Sequence, residues 1–429
     1  MKKIIQLKLK FITKLILAKY KPEIIGVTGS VGKTSTKEAI KYVLGSKYAV
    51  RASSKNYNNE FGLPLTIIGM DSPGKSIIGW TKVLWKGFWL VVVRDKTYPK
   101  YLVLEMGVDR PGDMKYLTSI AKPSIGVVTQ IGSSHIEYFG SLEKIQTEKE
   151  DLVKNLKENG WAILNFDDDL VKSMSKASKA RVMSYGFEKG VDVQAQEMRF
   201  SFEENKDIDN MLGISFKLSH NGSTVPVILE DVLSYPAVYA ATAAAAVGIA
   251  YGINLVEISK ALRRYNAPKG RMNLIDGIKG TLIIDDTYNS SPQSSISALN
   301  LIGKIKLKKD AKKYAVLGDM LELGVLSEQG HREVGEYLMK SGIDVLITVG
   351  ERANDIGVGA EKAGMSRDFI FDFDNSKDAG NFLESRIEEG DLMLVKGSQG
   401  ARMEIIVKDV MAEPLRAGEL LVRQGEEWQ

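Results

Sequence analysis

Residues 24–40, IIGVTGSVGKTSTKEAI, constrain this chain more than any other stretch. An apolar run ends in a glycine-rich turn, and Lys33, Thr34 and Ser35 then lead into a helix-forming segment. That is the layout of a phosphate-binding loop between a strand and a helix. Glycines let backbone N–H groups face an anion at close range, and the helix N-terminus adds a favourable dipole. In this reading Thr28, Gly29, Ser30, Val31, Gly32, Lys33, Thr34 and Ser35 form the cradle. The Lys33 ammonium reaches the outer phosphates, and the Thr34 hydroxyl sits on Mg²⁺. The spelling is unusual, because Val27 stands where the common pattern has its first glycine and the glycines fall at 26, 29 and 32. The simpler alternative is a tight turn without a ligand. The Gly-Lys-Thr-Ser run directly behind a hydrophobic strand speaks against it.

From Ile24 to about Ser184, short apolar runs alternate with helical patterns. Strands are predicted at Ile24–Thr28, Tyr101–Glu105, Ile125–Thr129, Trp161–Asn165 and Arg181–Tyr185, and helices at Lys33–Leu44, Gly112–Ile120 and Leu142–Leu156. Such alternation predicts a mostly parallel sheet with helices on both faces. Val191–Glu230 has period-two patches and turn residues, which suit an antiparallel appendage at about 190–230. Near Lys269–Lys279 the alternation restarts, with strands expected at 282–286, 314–319, 345–350, 369–373 and 392–398. A chain of 429 residues is too long for one core. The expectation is an α/β protein of three parts: a basic amphipathic helix over 1–22, a P-loop central domain with a mostly parallel sheet over 23–272, and a smaller Rossmann-like C-terminal domain over 273–429.

Composition narrows the chemistry. The net charge of +4 is too mild to argue for nucleic acid. With no cysteine there is no disulfide, thiolate zinc site or thiol nucleophile, which fits a reducing cytoplasm. Histidine chemistry is confined to His135, His220 and His331. Residues 1–22 carry seven lysines around a stripe of Ile4, Leu7, Phe11, Leu15 and Ala18. Residues 77–93, IIGWTKVLWKGFWLVVV, are aromatic and basic. Two readings stand beside each other: peripheral contact with a membrane surface, on its cytoplasmic side, or packing of the two segments on the domain or on each other.

Further polar groups share the first domain. Glu105 closes a predicted strand, where ligands bind in open α/β sheets, and a carboxylate there can hold Mg²⁺. His135 follows another strand, so a metal or substrate role stands beside a structural one. Asn58 and Asn59 lie in a polar segment that suits phosphate contacts or plain turn chemistry. Lys149, between Glu148 and Glu150 on a helix, reads on its own as a solvated, ion-paired surface lysine.

Taken jointly, TGSVGKTST, NYNNEFG, LEMG, SSHIEYFGS and ILNFDDD resemble the Mur ligases, ATP-dependent amide-forming enzymes of peptidoglycan precursor synthesis. GRMNLID (270–276), IDDTYNSSPQS (284–294), VLGDMLELG (316–324), SEQGHREVG (327–335) and VKGSQGARME (395–404) are similar to the members that use a dipeptide. The resemblance covers roughly residues 24–410. It implies transfer of D-alanyl-D-alanine to a UDP-MurNAc-tripeptide-type donor through an acyl phosphate, with ATP and two Mg²⁺ ions. A related ligase that adds another amino acid or glutamate to a different carboxylate is the alternative. Thr34 and Glu105 would serve Mg²⁺, with His135 near a second ion. Lys149 aligns with a lysine that the family carries as a carbamate. Asp286, Tyr288 and Asn289 would contact the nucleotide, Arg271 would reach the phosphates, and Lys396 and Ser398 would help hold the dipeptide.

Two departures stand out. About 23 residues precede the first strand, too few for the uridine-nucleotide domain that family members carry there, which leaves the donor's uridine portion without an assigned site. Pro236 and Ala240 stand where members often have His and Asn. Outside the family, a P-loop switch or kinase would leave the second α/β domain without a task, and no Asn/Thr-Lys-x-Asp guanine motif occurs. A silent scaffold would not need Lys33, Thr34, Glu105 and Lys149 together.

Overall fold

The structure, a computed structural model, describes residues 2–53, 57–132, 136–202, 211–425 and 428. The chain divides into two compact units. The first comprises residues 1–198, 215–228 and 235–266; the second comprises 199–214, 229–234 and 267–429.

Up to residue 230 the strands are β1 (Glu23–Thr28), β2 (Val50–Ala52), β3 (Tyr101–Glu105), β4 (Ile125–Val128), β5 (Trp161–Asn165), β6 (Arg181–Gly186), β7 (Val193–Phe202), β8 (Met211–His220) and β9 (Ser223–Glu230). They form one sheet in the order β2-β3-β1-β4-β5-β6-β7-β8-β9. The segment expected as an appendage thus continues the main sheet. Pairing is parallel from β2 through β7. β3 and β4 are buried throughout, and β1 is buried after its first residue. Helices cover both faces of such strands, which is why they read as unbroken apolar runs without alternation.

The helices are α1 (Lys2–Tyr20), α2 (Lys33–Gly45), α3 (Gly62–Ile68), α4 (Ile77–Val92), α5 (Asp113–Ile120), α6 (Ile136–Phe139), α7 (Leu142–Lys154), α8 (Asp169–Ser173), α9 (Tyr235–Ala250) and α10 (Leu255–Arg263). The alanines of α9 from Ala237 to Ala246 are buried where it packs on α2, since small side chains let two helix backbones approach. α7 buries Ile145, Glu148, Lys149, Leu152 and Val153, a stripe of helical period. It lies on a pair of glycines that face each other in register, Gly26 of β1 and Gly126 of β4. A Cβ on Gly26 would stand 3.0 Å from Leu152, and one on Gly126 would stand 2.9 Å from Leu156.

The second unit holds β10 (Asn273–Asp276), β11 (Leu282–Asp286), β12 (Lys313–Gly318), β13 (Val345–Val349), β14 (Ile370–Phe373) and β15 (Leu392–Lys396). Their order is β10-β11-β15-β12-β13-β14, with β10 antiparallel to β11 and the other pairs parallel. Helices α11 (Pro292–Gly303), α12 (Ser327–Leu338), α13 (Asn354–Lys362), α14 (Ser376–Arg386) and α15 (Glu404–Val410) alternate with these strands, as expected for a doubly wound domain.

Candidate active site

β1 is flanked by β3 on one side and β4 on the other, so the strand order reverses at its C-terminal end. Open α/β sheets form a ligand crevice at such a point. The glycine loop leaves β1 there. Gly29 at φ +146° and Gly32 at φ +84° adopt backbone that side chains disfavour, and a Cβ on Gly29 would lie 1.9 Å from the Thr129 hydroxyl. That hydroxyl donates to the Val31 carbonyl at 2.6 Å, and the Ser30 amide donates to the Gln130 carbonyl at 2.6 Å. The segment after β4 thus frames the loop. The Ser30 amide is engaged in that frame, and the first turn of α2 directs its amides outward, as at any helix N-terminus. The Lys33 ammonium curls over the loop and donates to the carbonyls of Gly29 (2.8 Å) and Ser30 (3.2 Å). Thr28 is buried and ties β1 to Met106, and the Ser35 carbonyl accepts from Tyr265.

The Thr34 hydroxyl donates to Glu105 Oε2 at 3.0 Å, and Glu105 is 3 % exposed. Sequence reasoning missed a second cation here. Lys37 is buried one helical turn beyond Lys33, its ammonium 2.6 Å from the Ser53 carbonyl and 3.9 Å from Glu105 Oε2. Its place on the same face of α2 as Lys33 was the available signal. A hydroxyl beside a buried carboxylate suits Mg²⁺, which takes one or two protein oxygens and completes its shell from phosphates and water. Among the described residues no group of three or more acidic or histidine side chains gathers as a metal site. His135 lies outside the described residues.

Lys149 is not the solvated lysine that its charged neighbours suggest; it is 3 % exposed. Burial, and then the nearby Lys33 charge, lower its pKa to about 7, against the smaller opposing effects of Glu148 and Asp109. Glu148 is engaged elsewhere. Its carboxylate accepts from the Gly112 and Met114 amides, both at 2.8 Å, and so caps α5. Glu150 pairs with Lys154. Asn59 Oδ1 accepts from the Phe61 and Gly62 amides at the start of α3, which is turn chemistry. Asn58 lies against Gly107, two residues past Glu105, and its carbonyl accepts that residue's amide at 2.9 Å.

The remaining candidates share the second unit. Lys396 is buried, and its ammonium reaches Asp286 at 2.7 Å and the Asn289 carbonyl at 2.9 Å. The Arg271 guanidinium stacks over the Tyr288 ring at 4.0 Å. Ser398 accepts from the Leu321 amide at 2.9 Å. Two supports were not foreseen. Arg423 donates to the carbonyls of Thr287 and Tyr288 and pairs with the fully buried Glu404. His331 is fully buried; Nε2 accepts from the Met320 amide, so Nδ1 carries the proton and donates to the Ser327 carbonyl. His220 Nδ1 meets the Asp192 carbonyl.

Comparison with known proteins agrees with this geometry. Residues 27–78 and 89–224 match the Mur ligase middle domain, and residues 270–399 match the Mur ligase, glutamate ligase domain. The UDP-N-acetylmuramoyl-tripeptide–D-alanyl-D-alanine ligase of Bacillus subtilis (strain 168) is 34% identical over 411 residues, 95% of this chain and 80% of that protein. A crystal structure of MurF ligase from Thermotoga maritima in complex with ADP superposes with a TM-score of 0.75 at 28% identity, covering 94% of this chain and 83% of that one. A crystal structure of MurF from Acinetobacter baumannii gives a TM-score of 0.77 at 26% identity, covering 94% and 80%. The chain belongs to the Mur ligase family.

Proposed function

We propose that this chain is an ATP-dependent, ADP-forming amide ligase that joins D-alanyl-D-alanine to a UDP-MurNAc-tripeptide-type donor in peptidoglycan synthesis. The observation that carries the reading is the hydrogen bond from Thr34 to the buried Glu105 set against Lys33 on a glycine loop, in a chain whose relatives bear the name of that ligase. In the reaction the donor carboxylate attacks the γ-phosphorus of ATP, ADP leaves, and an acyl phosphate results. The dipeptide amine then attacks the acyl carbon and phosphate departs. Both steps gather negative charge, so cations matter more than proton transfer. Lys33 supplies one at the loop; Arg271 would supply another, and Asp286, Tyr288 and Asn289 would hold the nucleotide. Thr34 and Glu105 would hold Mg²⁺, which when bound neutralises phosphate charge; a second ion would draw on His135.

Lys149 belongs to the reading as a carbamate. A neutral amine nitrogen adds to the carbon of CO₂ and loses a proton, which turns a buried cation into an oxygen anion. Burial that lowers the Lys149 pKa to about 7, and so favours the neutral amine, supports this chemistry. The deciding experiment is phosphate release with D-alanyl-D-alanine, meso-diaminopimelate or glutamate as the amine. Stimulation by D-alanyl-D-alanine is expected. Stimulation by another amine alone would sink the assignment. Peripheral contact with a membrane through residues 1–22 and 77–93 is a separate proposal, independent of this ligase reading.

A further inference from the structure

α1 and α4 pack against each other, and each still shows a second apolar face. Leu9, Thr13 and Ile16 of α1 and Val83 and Leu90 of α4 are buried. Lys19 and Tyr20 at the end of α1 donate to the carbonyls of Leu90, Val91 and Val93, so one helix caps the C-terminus of the other. The outward faces are greasy as well. Leu7, Phe11 and Leu15 recur every fourth residue along α1; Trp85, Phe88 and Trp89 project from α4, and Trp85 is 67 % exposed. A groove between the helices is lined by Phe11, Ile12, Leu84, Trp85 and Phe88, with Lys8 at its edge.

Charge identifies what such a face fits. Residues 1–22 and 72–94 carry eleven lysines and arginines and no aspartate or glutamate, in a chain whose net charge is +4. Lys8, Lys14, Lys82 and Lys86 are exposed on the same two helices. We propose that the α1–α4 face docks on an anionic lipid surface, with the aromatic side chains at the headgroup–acyl boundary and the lysines on the headgroups. No described helix is long and apolar enough to cross a membrane. The 16 residues of α4 span about 24 Å, short of the roughly 30 Å hydrocarbon core. The helices therefore lie on the surface. A second copy of the chain is a poorer occupant, because a two-fold contact would set one basic fringe against another. The face also stands apart from the shared ligase machinery. The middle-domain match begins at residue 27 and breaks between 78 and 89, which leaves out α1 and the aromatic middle of α4.

The test is flotation of the full chain with vesicles of phosphatidylcholine alone and of phosphatidylcholine mixed with phosphatidylglycerol. Binding is expected only to the mixed vesicles, weakening as salt rises. W85S/F88S should abolish it, and K8Q/K82Q/K86Q should lower partitioning on the order of a hundredfold at low salt. Both variants should keep amine-dependent phosphate release in vesicle-free solution, which separates this inference from the ligase reading. No flotation with mixed vesicles, or binding that neither variant changes, overturns the proposal. So does a concentration-dependent dimer that W85S/F88S dissolves while lipid binding is absent.

Discussion

Replacing Lys149 with methionine tests the burial of this site most directly. The lysine's pKa falls from its ordinary 10.5 to about 7 because its ammonium is desolvated and faces Lys33. Between those two pH values the unfolded chain holds a proton at Lys149 that the folded chain has shed. Stability of the wild type therefore rises with pH through that window, and below about pH 7 the full cost is present. At about 1.36 kcal/mol per pH unit the full cost is roughly 5 kcal/mol, and about 4 kcal/mol of it remains at pH 7. Lys149→Met keeps an apolar stem of similar length and removes the charge. It should raise the stability of the first unit by up to that amount at pH 7, while abolishing turnover. The gain should shrink by about 1.4 kcal/mol per pH unit above pH 7 and vanish near pH 10.5. Urea titration followed by tryptophan fluorescence can read this, since Trp80, Trp85, Trp89 and Trp161 lie in the first unit and only Trp428 in the second. The buffers must be free of CO₂, so that no carbamate competes. A methionine variant less stable than wild type at pH 7, or a difference that does not fall with rising pH, would refute the reasoning.

Lys33→Ala should abolish amine-dependent phosphate release while the chain still unfolds cooperatively in urea; retained turnover would remove Lys33, whose ammonium donates to the loop carbonyls of Gly29 and Ser30, from the phosphate cradle. Lys149→Ala should be nearly inactive and recover in part with added formate or acetate; full activity without rescue would exclude a carbamate. Gly29→Ala puts a methyl group on the Thr129 hydroxyl at a strained φ and should weaken ATP binding by roughly tenfold or more in calorimetry. Arg423→Met removes the guanidinium that donates to the carbonyls of Thr287 and Tyr288 and that pairs with the buried Glu404, which also pairs with Arg402. It should destabilise the second unit by about 2–3 kcal/mol, read as lost hydrogen-exchange protection in β11 and β15.

The parallel strands were legible because strands buried on both faces must be unbroken apolar runs, and β1, β3, β4 and β5 fall within a residue of where such runs end. β2 and β10 escaped notice at three and four residues, too short to show a period. Lys149 was misjudged from its charged neighbours alone. The spacing of Ile145, Leu152 and Val153 already puts positions 148 and 149 on the buried stripe, so periodicity held the answer that local charge concealed. Arg423 lay beyond reach for a different reason. Its partners are about 135 residues earlier in the chain, and no local pattern marks a guanidinium that returns to hold the 287–288 carbonyls. Lys19 and Tyr20 capping α4 are long-range in the same way.

The glycine pair under α7 has a consequence for how this site can be tuned. Gly26 and Gly126 set the depth at which α7 rests on the sheet, through Leu152 and Leu156. Lys149 is one turn before Leu152 on the same helix, so its height above the glycine loop is inherited from two residues that carry no functional group. A single methyl added at either position would make the Leu152 or Leu156 side chain give by tenths of an ångström, and any of that displacement passed to the helix would alter how far Lys149 is withdrawn from water and from Lys33. The spacing of charges in the crevice is thus adjustable from underneath, by residues that never meet a ligand.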